Sequence, residues 1–164
     1  MESLGAKIVT LEEFAKLRPE LGKVVAASGG FDPVHPGHLS YLIASKELGD
    51  TLAVIVNGDW FLSAKKGRPF QDLETRCQIV SAIRGVDYVI PFEIKNDMSV
   101  SKALEIMKPD VFANGGDRDK PESIREWTVC EKLGIKPIFG VGLDKKWSSS
   151  WFLKAWGEFF KNKS

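Results

Sequence analysis

Five short apolar runs, each bounded by turn residues, alternate along the chain with stretches of helical periodicity. The runs are KVVAAS (23–28), TLAVIVN (51–57), DYVIPF (87–92), DVFAN (110–114) and KPIFGVG (136–142). Their length and near-continuous hydrophobicity predict strands covered on both faces, because a half-exposed strand would alternate apolar with polar residues. The helical stretches fall at 36–48, 73–83, 99–107, 121–133 and 148–160, with a short leading helix at 11–17. Such alternation implies an α/β fold: a five-stranded parallel sheet with helices on both faces. In such sheets ligands bind beyond the carboxyl ends of the strands, so the segment after each strand is where chemistry is expected.

The 164 residues carry no internal repeat, low-complexity tract or linker, which is consistent with a single domain over 1–164. A chain of this size buries roughly 68–70% of its unfolded surface. With 23 basic and 22 acidic residues, the balance argues against a dedicated nucleic-acid binder. No apolar run approaches the roughly 20 residues of a membrane span. The opening MESLGAKIVT lacks the basic-then-apolar pattern of a signal peptide, so a cytoplasmic protein is expected. Cys77 and Cys130 each lie in a helical stretch without a second ligand at metal spacing, which gives no support to a disulfide framework or a zinc site.

The most unusual stretch is SGGFDPVHPGHLSYL (28–42), which follows the first strand and holds both histidines of the chain. Pro36 suits the first position of a helix, making His35 the N-cap and His38 the third helical residue. Both imidazoles then stand at the end where free N–H groups and the helix dipole favour an anion. Gly29, Gly30 and Gly37 leave room for a phosphate near the backbone, and Asp32 with Pro33 tightens the turn. Taken alone, the stretch reads equally as a Gly/Pro-rich turn with two incidental histidines. A dinucleotide fingerprint is weaker, because GGFDPVHPG has the wrong glycine spacing for G-x-G-x-x-G.

The rest of the chain adds to this. GGFDPVHPGH, NGD (57–59), KKGRP (65–69), ETR (74–76), VDYV (86–89), KPDVFANGGD (108–117) and WSSSWFL (147–153) occur in one order. That order resembles the H-x-G-H nucleotidylyltransferase (cytidylyltransferase-like) superfamily. Within it the chain is most similar to heptose-phosphate adenylyltransferases, whose leading segment resembles KIVTLEEF (7–14), and to glycerol-phosphate cytidylyltransferases. The resemblance implies a Rossmann-like domain that transfers a nucleoside monophosphate from ATP or CTP to a phosphorylated sugar or polyol, releasing pyrophosphate. It implies Mg²⁺ carried with the triphosphate, no metal held by protein side chains, and a homodimer. A phosphate monoester is already an oxyanion at neutral pH, so catalysis of this kind is positioning plus electrostatic stabilisation.

By the same resemblance His35, His38 and Lys66 would be catalytic, with Lys65 as the alternative loop lysine. Gly30, Phe31, Asp32, Gly37, Arg76, Gly115, Asp117, Ser148, Ser149 and Ser150 would bind the nucleotide. Asn57, Asp59, Arg118, Lys145 and Lys146 are candidates for the acceptor. Each also has a plain structural alternative: a solvated basic loop for the lysines, an ion pair for Arg76, a Gly-Asp turn for Gly116 and Asp117, a helix cap for the serines. From another class, a nucleotide-binding module without turnover would keep the same cleft, and pyrophosphate release separates the two. Trp151, Phe152, Ala155, Trp156, Phe159 and Phe160 form an i, i+4 stripe that reads as core or subunit interface.

Overall fold

β3 (Thr51–Asn57) is buried along its entire length, and the sheet is arranged around it. The structure, a computed structural model, describes residues 1–164 apart from 117, 119, 145, 163 and 164. On one side of β3 lie β4 (Tyr88–Phe92) and then β1 (Lys7–Ile8). On the other lie β2 (Val24–Gly29), β5 (Val111–Gly115) and β6 (Lys136–Val141), and every pairing is parallel. The sheet therefore has six strands rather than the five expected. The added strand is two residues long and pairs with β4, Lys7 opposite Tyr88 and Ile8 opposite Val89. Two residues carry no periodicity, and their partner is far away in sequence, so nothing local announces them.

Successive residues of β2 enter different cores. Val24 and Ala26 join the layer with Phe14 of α1 (Leu11–Leu17), Leu104 of α5 (Ser101–Met107) and Cys130 of α6 (Trp127–Leu133). Val25 and Ala27 join the opposite layer with Leu42 of α2 (Pro36–Lys46) and with Cys77 and Val80 of α4 (Leu73–Ser81). Helices on both faces explain why the strands read as unbroken apolar runs. The helix expected over 121–133 is in fact a 3₁₀ turn, Pro121–Ser123, followed by α6. Between them Ile124 is extended and buried, and the Glu126 carboxylate accepts the Val100 N–H at 2.9 Å.

A further helix, α3 (Asp59–Lys66), occupies what reads in the sequence as a basic loop. The Glu93 carboxylate accepts the Trp60 N–H at 2.7 Å and so caps its first turn. Leu62 packs it onto the end of β2, where a Cβ on Gly30 would stand 2.8 Å from the leucine Cδ2. The last helix, α7 (Ser149–Lys161), buries none of its side chains. Among the described residues no helix is long and apolar enough to cross a membrane.

Candidate active site

The chain runs outward from β2 through β3 to β4, then returns to the other side of β2 to lay down β5 and β6. The reversal lies between β2 and β5, the place where parallel sheets open a crevice at their carboxyl ends. β2 pairs with β3 from Val24↔Thr51 to Gly29↔Val56, but with β5 only at Val25↔Val111 and Ala26↔Phe112. Where the two strands part, the Tyr41 hydroxyl accepts the Ser28 N–H at 3.2 Å and donates to the Ala113 carbonyl at 2.7 Å. This one side chain satisfies two backbone groups that the ladder leaves behind. Burial pushes its pKa up to about 12, so it stays a neutral donor.

The opening so formed is a cavity of about 270 Å³. His35, Gly37 and His38 from the start of α2 form one wall, Ser148, Ser149 and Ser150 from the start of α7 another, with Lys65, Gly115, Gly116, Arg118 and Lys146 around them. Two helix N-termini thus meet at one cavity, and each favours negative charge. The Ser149 hydroxyl donates to the Pro33 carbonyl at 2.8 Å and joins the two walls.

His35 is the N-cap of α2 and Pro36 its first residue. The His35 N–H donates to Nδ1 of His38 at 3.3 Å, and the rings stack with centroids 3.8 Å apart. An Nδ1 that accepts has no proton, so the neutral His38 ring carries its hydrogen on Nε2. Burial, then the neighbouring His35 and Lys65, pull the His38 pKa down to about 3, and burial also lowers that of His35. His35 Nδ1 is buried and meets no partner among the described residues. The His38 ring rests on Phe31, centroids 5.1 Å apart. Phe31 itself adopts φ 52°, an uncommon backbone for a side chain of this size, with its ring beneath Gly29.

The adjacent lysines diverge. Lys65 lines the cavity with the histidines, 5.8 Å from the Phe61 ring centre. Lys66, the residue the resemblance favoured for phosphate, is engaged by Asp32: its Nζ is 2.7 Å from both the carboxylate and the main-chain carbonyl. Asp32 is buried and also accepts the N–H groups of Phe70 and Gln71, each at 2.8 Å. Burial alone would raise the Asp32 pKa, but Lys66 and the two amides outweigh it and hold the carboxyl below its ordinary value.

Arg76 is wholly buried. It donates to the carbonyls of Gln71, Gly30 and Asn57 at 3.0, 2.8 and 2.6 Å and to the Asp59 carboxylate at 2.6 Å. It therefore ties the ends of β2 and β3 together instead of facing the cavity, and Asn57 and Asp59 are brought to Arg76. Arg118, at the rim, donates to the Asn114 side chain at 3.4 Å. A Cβ on Gly115 would stand 2.7 Å from the Tyr41 ring, so glycine is needed for that ring to reach the strand gap. Asp117 and Lys145 lie outside the described residues. Sequence reasoning missed Tyr41, although its place three residues after His38 on the same helix face was a usable signal.

Among the described residues no three metal-ligating side chains converge. The cavity is rich in donors, which suits a metal brought in on phosphate oxygens better than one held by the protein. A parallel sheet opened at its reversal, with two helix N-termini and basic side chains around the gap, defines a class: α/β domains that receive phosphate groups. The chain belongs to the cytidylyltransferase-like family, whose pattern matches residues 26–142. Bifunctional protein HldE of Hahella chejuensis is 39% identical over 114 residues, covering 68% of this chain and 23% of that protein. Its counterpart in Haemophilus ducreyi is 40% identical over 129 residues, covering 75% and 26%. The chain thus spans about a quarter of the length of these curated relatives.

Among solved structures, the lipopolysaccharide core biosynthesis protein from Thermoplasma volcanium is similar with a TM-score of 0.64 and 32% identity, over 75% of this chain and 99% of that one. Pantoate-beta-alanine ligase from Francisella tularensis shares the fold, with a TM-score of 0.59 at 18% identity.

Proposed function

We propose that the chain is a nucleotidyltransferase that moves a nucleoside monophosphate from ATP or CTP to the phosphate of a sugar or polyol. A phosphate oxygen of the acceptor forms a new bond to the α-phosphorus, the bond to the β-phosphate oxygen breaks, and pyrophosphate leaves. The observation that carries the reading is the His38 ring, whose Nδ1 is used by the His35 N–H so that its Nε2–H is free to donate in a cavity flanked by two helix N-termini. Preplaced neutral donors of this kind stabilise charge growing on phosphoryl oxygens without competing for the proton. Lys65 adds a positive charge beside them, while Lys66 fixes the loop through Asp32. Mg²⁺ bound with the triphosphate would neutralise part of its charge.

Heptose-phosphate adenylyl transfer is favoured over glycerol-phosphate cytidylyl transfer by the likeness to HldE and to a lipopolysaccharide core biosynthesis protein. Arg118 and Lys146 at the rim suit an anionic acceptor. The protein is proposed to work in the cytoplasm as a homodimer. A thermal-shift series with ATP, CTP, GTP and UTP plus Mg²⁺ tests the donor, since a ligand selective for the native state raises its melting temperature. One or two nucleotides should stabilise it, and no shift at millimolar concentration would overturn the reading. Pyrophosphate release with matched phosphorylated and dephosphorylated acceptors then tests the nucleophile, because a phosphate monoester arrives already charged whereas a neutral hydroxyl would need a base.

A further inference from the structure

Trp147 takes no part in the chemistry of the two helix ends, yet it lines the same cavity as His35, His38 and the serines. The segment that carries it is fastened on both sides to α2 and the turn before it. Ahead of Trp147, the Leu143 N–H donates to the Ser40 hydroxyl at 2.7 Å, and a Cβ on Gly142 would stand 2.9 Å from the main chain of Tyr41. Behind it, the Ser149 hydroxyl donates to the Pro33 carbonyl at 2.8 Å. A Cβ on Gly37 would stand 3.6 Å from Cε3 of the indole and 3.1 Å from the His35 ring, so both rings come up to the same bare spot on the first turn of α2.

The other rings of the lining are already engaged. Tyr41 is buried with its hydroxyl on Ser28 and Ala113, and His35 and His38 stack on each other. Trp147 is only partly buried and, among the described residues, stacks on no other ring. The cavity also has room: a Cβ on Gly116, in the same lining, would meet nothing within 4 Å. Helix ends and basic side chains account for phosphate groups, but they offer nothing to a planar base, which is held best by an aromatic face. We propose that Trp147 is the platform on which the nucleobase of the donor stacks. Its position is set before any ligand arrives, so little ordering is lost on binding. The proposal rests on the reading of the cavity as a nucleotide site. An indole that only packed on Gly37 would treat nucleotides and bare phosphate chains alike.

Isothermal titration without acceptor, using ATP, CTP and inorganic tripolyphosphate, each with Mg²⁺, compares the native chain with Trp147→Ala and Trp147→Phe. Trp147→Ala should weaken binding of the tighter nucleotide by about 5–150-fold, the range for one stacked base, and leave tripolyphosphate binding unchanged. Trp147→Phe keeps an aromatic face and should recover most of the loss. Tryptophan emission of the native chain should fall on adding that nucleotide but not tripolyphosphate, and the fall should vanish in Trp147→Phe although the nucleotide still binds. Equal weakening of both ligands in the alanine variant, an unchanged nucleotide affinity, or a fall that persists in Trp147→Phe would each overturn the stacking and leave the nucleotide reading standing. Failure of both nucleotides to bind the native chain would overturn that reading and the proposal with it, whereas binding without turnover would remove only the transfer reaction. The emission measurement needs Trp147→Phe alone, so it decides the matter where Trp147→Ala does not fold.

Discussion

The main-chain N–H of His35 donates to Nδ1 of His38 at 3.3 Å, so the backbone that starts α2 sets the tautomer of the second histidine. The same turn stacks the two rings and buries them enough to keep both neutral. A histidine held in this state is a donor through Nε2 only, and its usefulness depends on one atom.

Replacing His38 should therefore separate by atom position. His38→Ala is expected to lower turnover by about 10²–10³-fold, the loss associated with removing one preorganised donor. His38→Gln, whose amide reaches the Nε2 position, should retain more activity than His38→Asn, whose amide reaches only Nδ1. Pyrophosphate release under saturating substrates measures the order, and equal rates for Gln and Asn would disconnect Nε2 from the reaction.

Stability should fall with acidification in two stages. The His38 pKa of about 3 lies below its ordinary 6.5, so between these values the unfolded chain binds more protons than the native one. Stability then decreases as pH drops from about 6.5, and His35 shifts in the same direction. Asp32, whose pKa is lowered, adds a further loss only below its ordinary 3.8. Urea midpoints across pH 4–8 should slope downward toward acid, and His38→Gln should flatten the slope above pH 4.

The two lysines should fail differently. Lys65→Ala, in the cavity, is expected to weaken nucleotide-induced thermal stabilisation while leaving the ligand-free melting temperature nearly unchanged. Lys66→Ala leaves the buried Asp32 carboxylate without its cation and should lower the ligand-free melting temperature. Thermal shifts with and without nucleotide distinguish them, and a reversed pattern would return the phosphate role to Lys66.

Arg76→Leu should cost about 3 kcal/mol or more, since the carbonyls of Gly30, Asn57 and Gln71 lose a shared donor in a buried place. Arg76→Lys should recover little, because one ammonium does not span the positions that a planar guanidinium reaches. Urea unfolding reads the loss. A stable variant with only a raised nucleotide KM would show instead that Arg76 contacts the ligand.

Tyr41→Phe removes one oxygen and strands the Ser28 N–H and the Ala113 carbonyl at the point where β2 and β5 part. The expected destabilisation is about 1–3 kcal/mol. Hydrogen exchange should accelerate most at Ser28, whose amide then loses its acceptor.

The fold was legible because burial on both faces leaves its mark on the central strands: β3 is apolar from Leu52 to Val56, and β2 sends one valine and one alanine into each of two cores. Local signals also placed the start of α2, where Pro36 and the preceding histidine specify a helix end by themselves. α3 stayed hidden behind its basic residues and the Gly67–Arg68–Pro69 turn, and the capping carboxylate that starts it comes from Glu93, on the far side of β4.

What the sequence by itself determined was composition of the site: which residue types follow which strand, and so which chemistry is at hand. Only the tertiary structure decided the part each plays. Lys65 and Lys66 are neighbours in the chain, yet the rotation of about 100° between successive helical residues sends the first to the histidines and the second to Asp32. Arg76 and Asp59 stand 17 residues apart in sequence and 2.6 Å apart in space, which turns a residue expected at the nucleotide into a tie between strand ends. Side-chain types are written locally, but direction and burial depend on elements brought together from distant parts of the chain, and those two quantities set whether a charge meets a ligand or a partner within the protein.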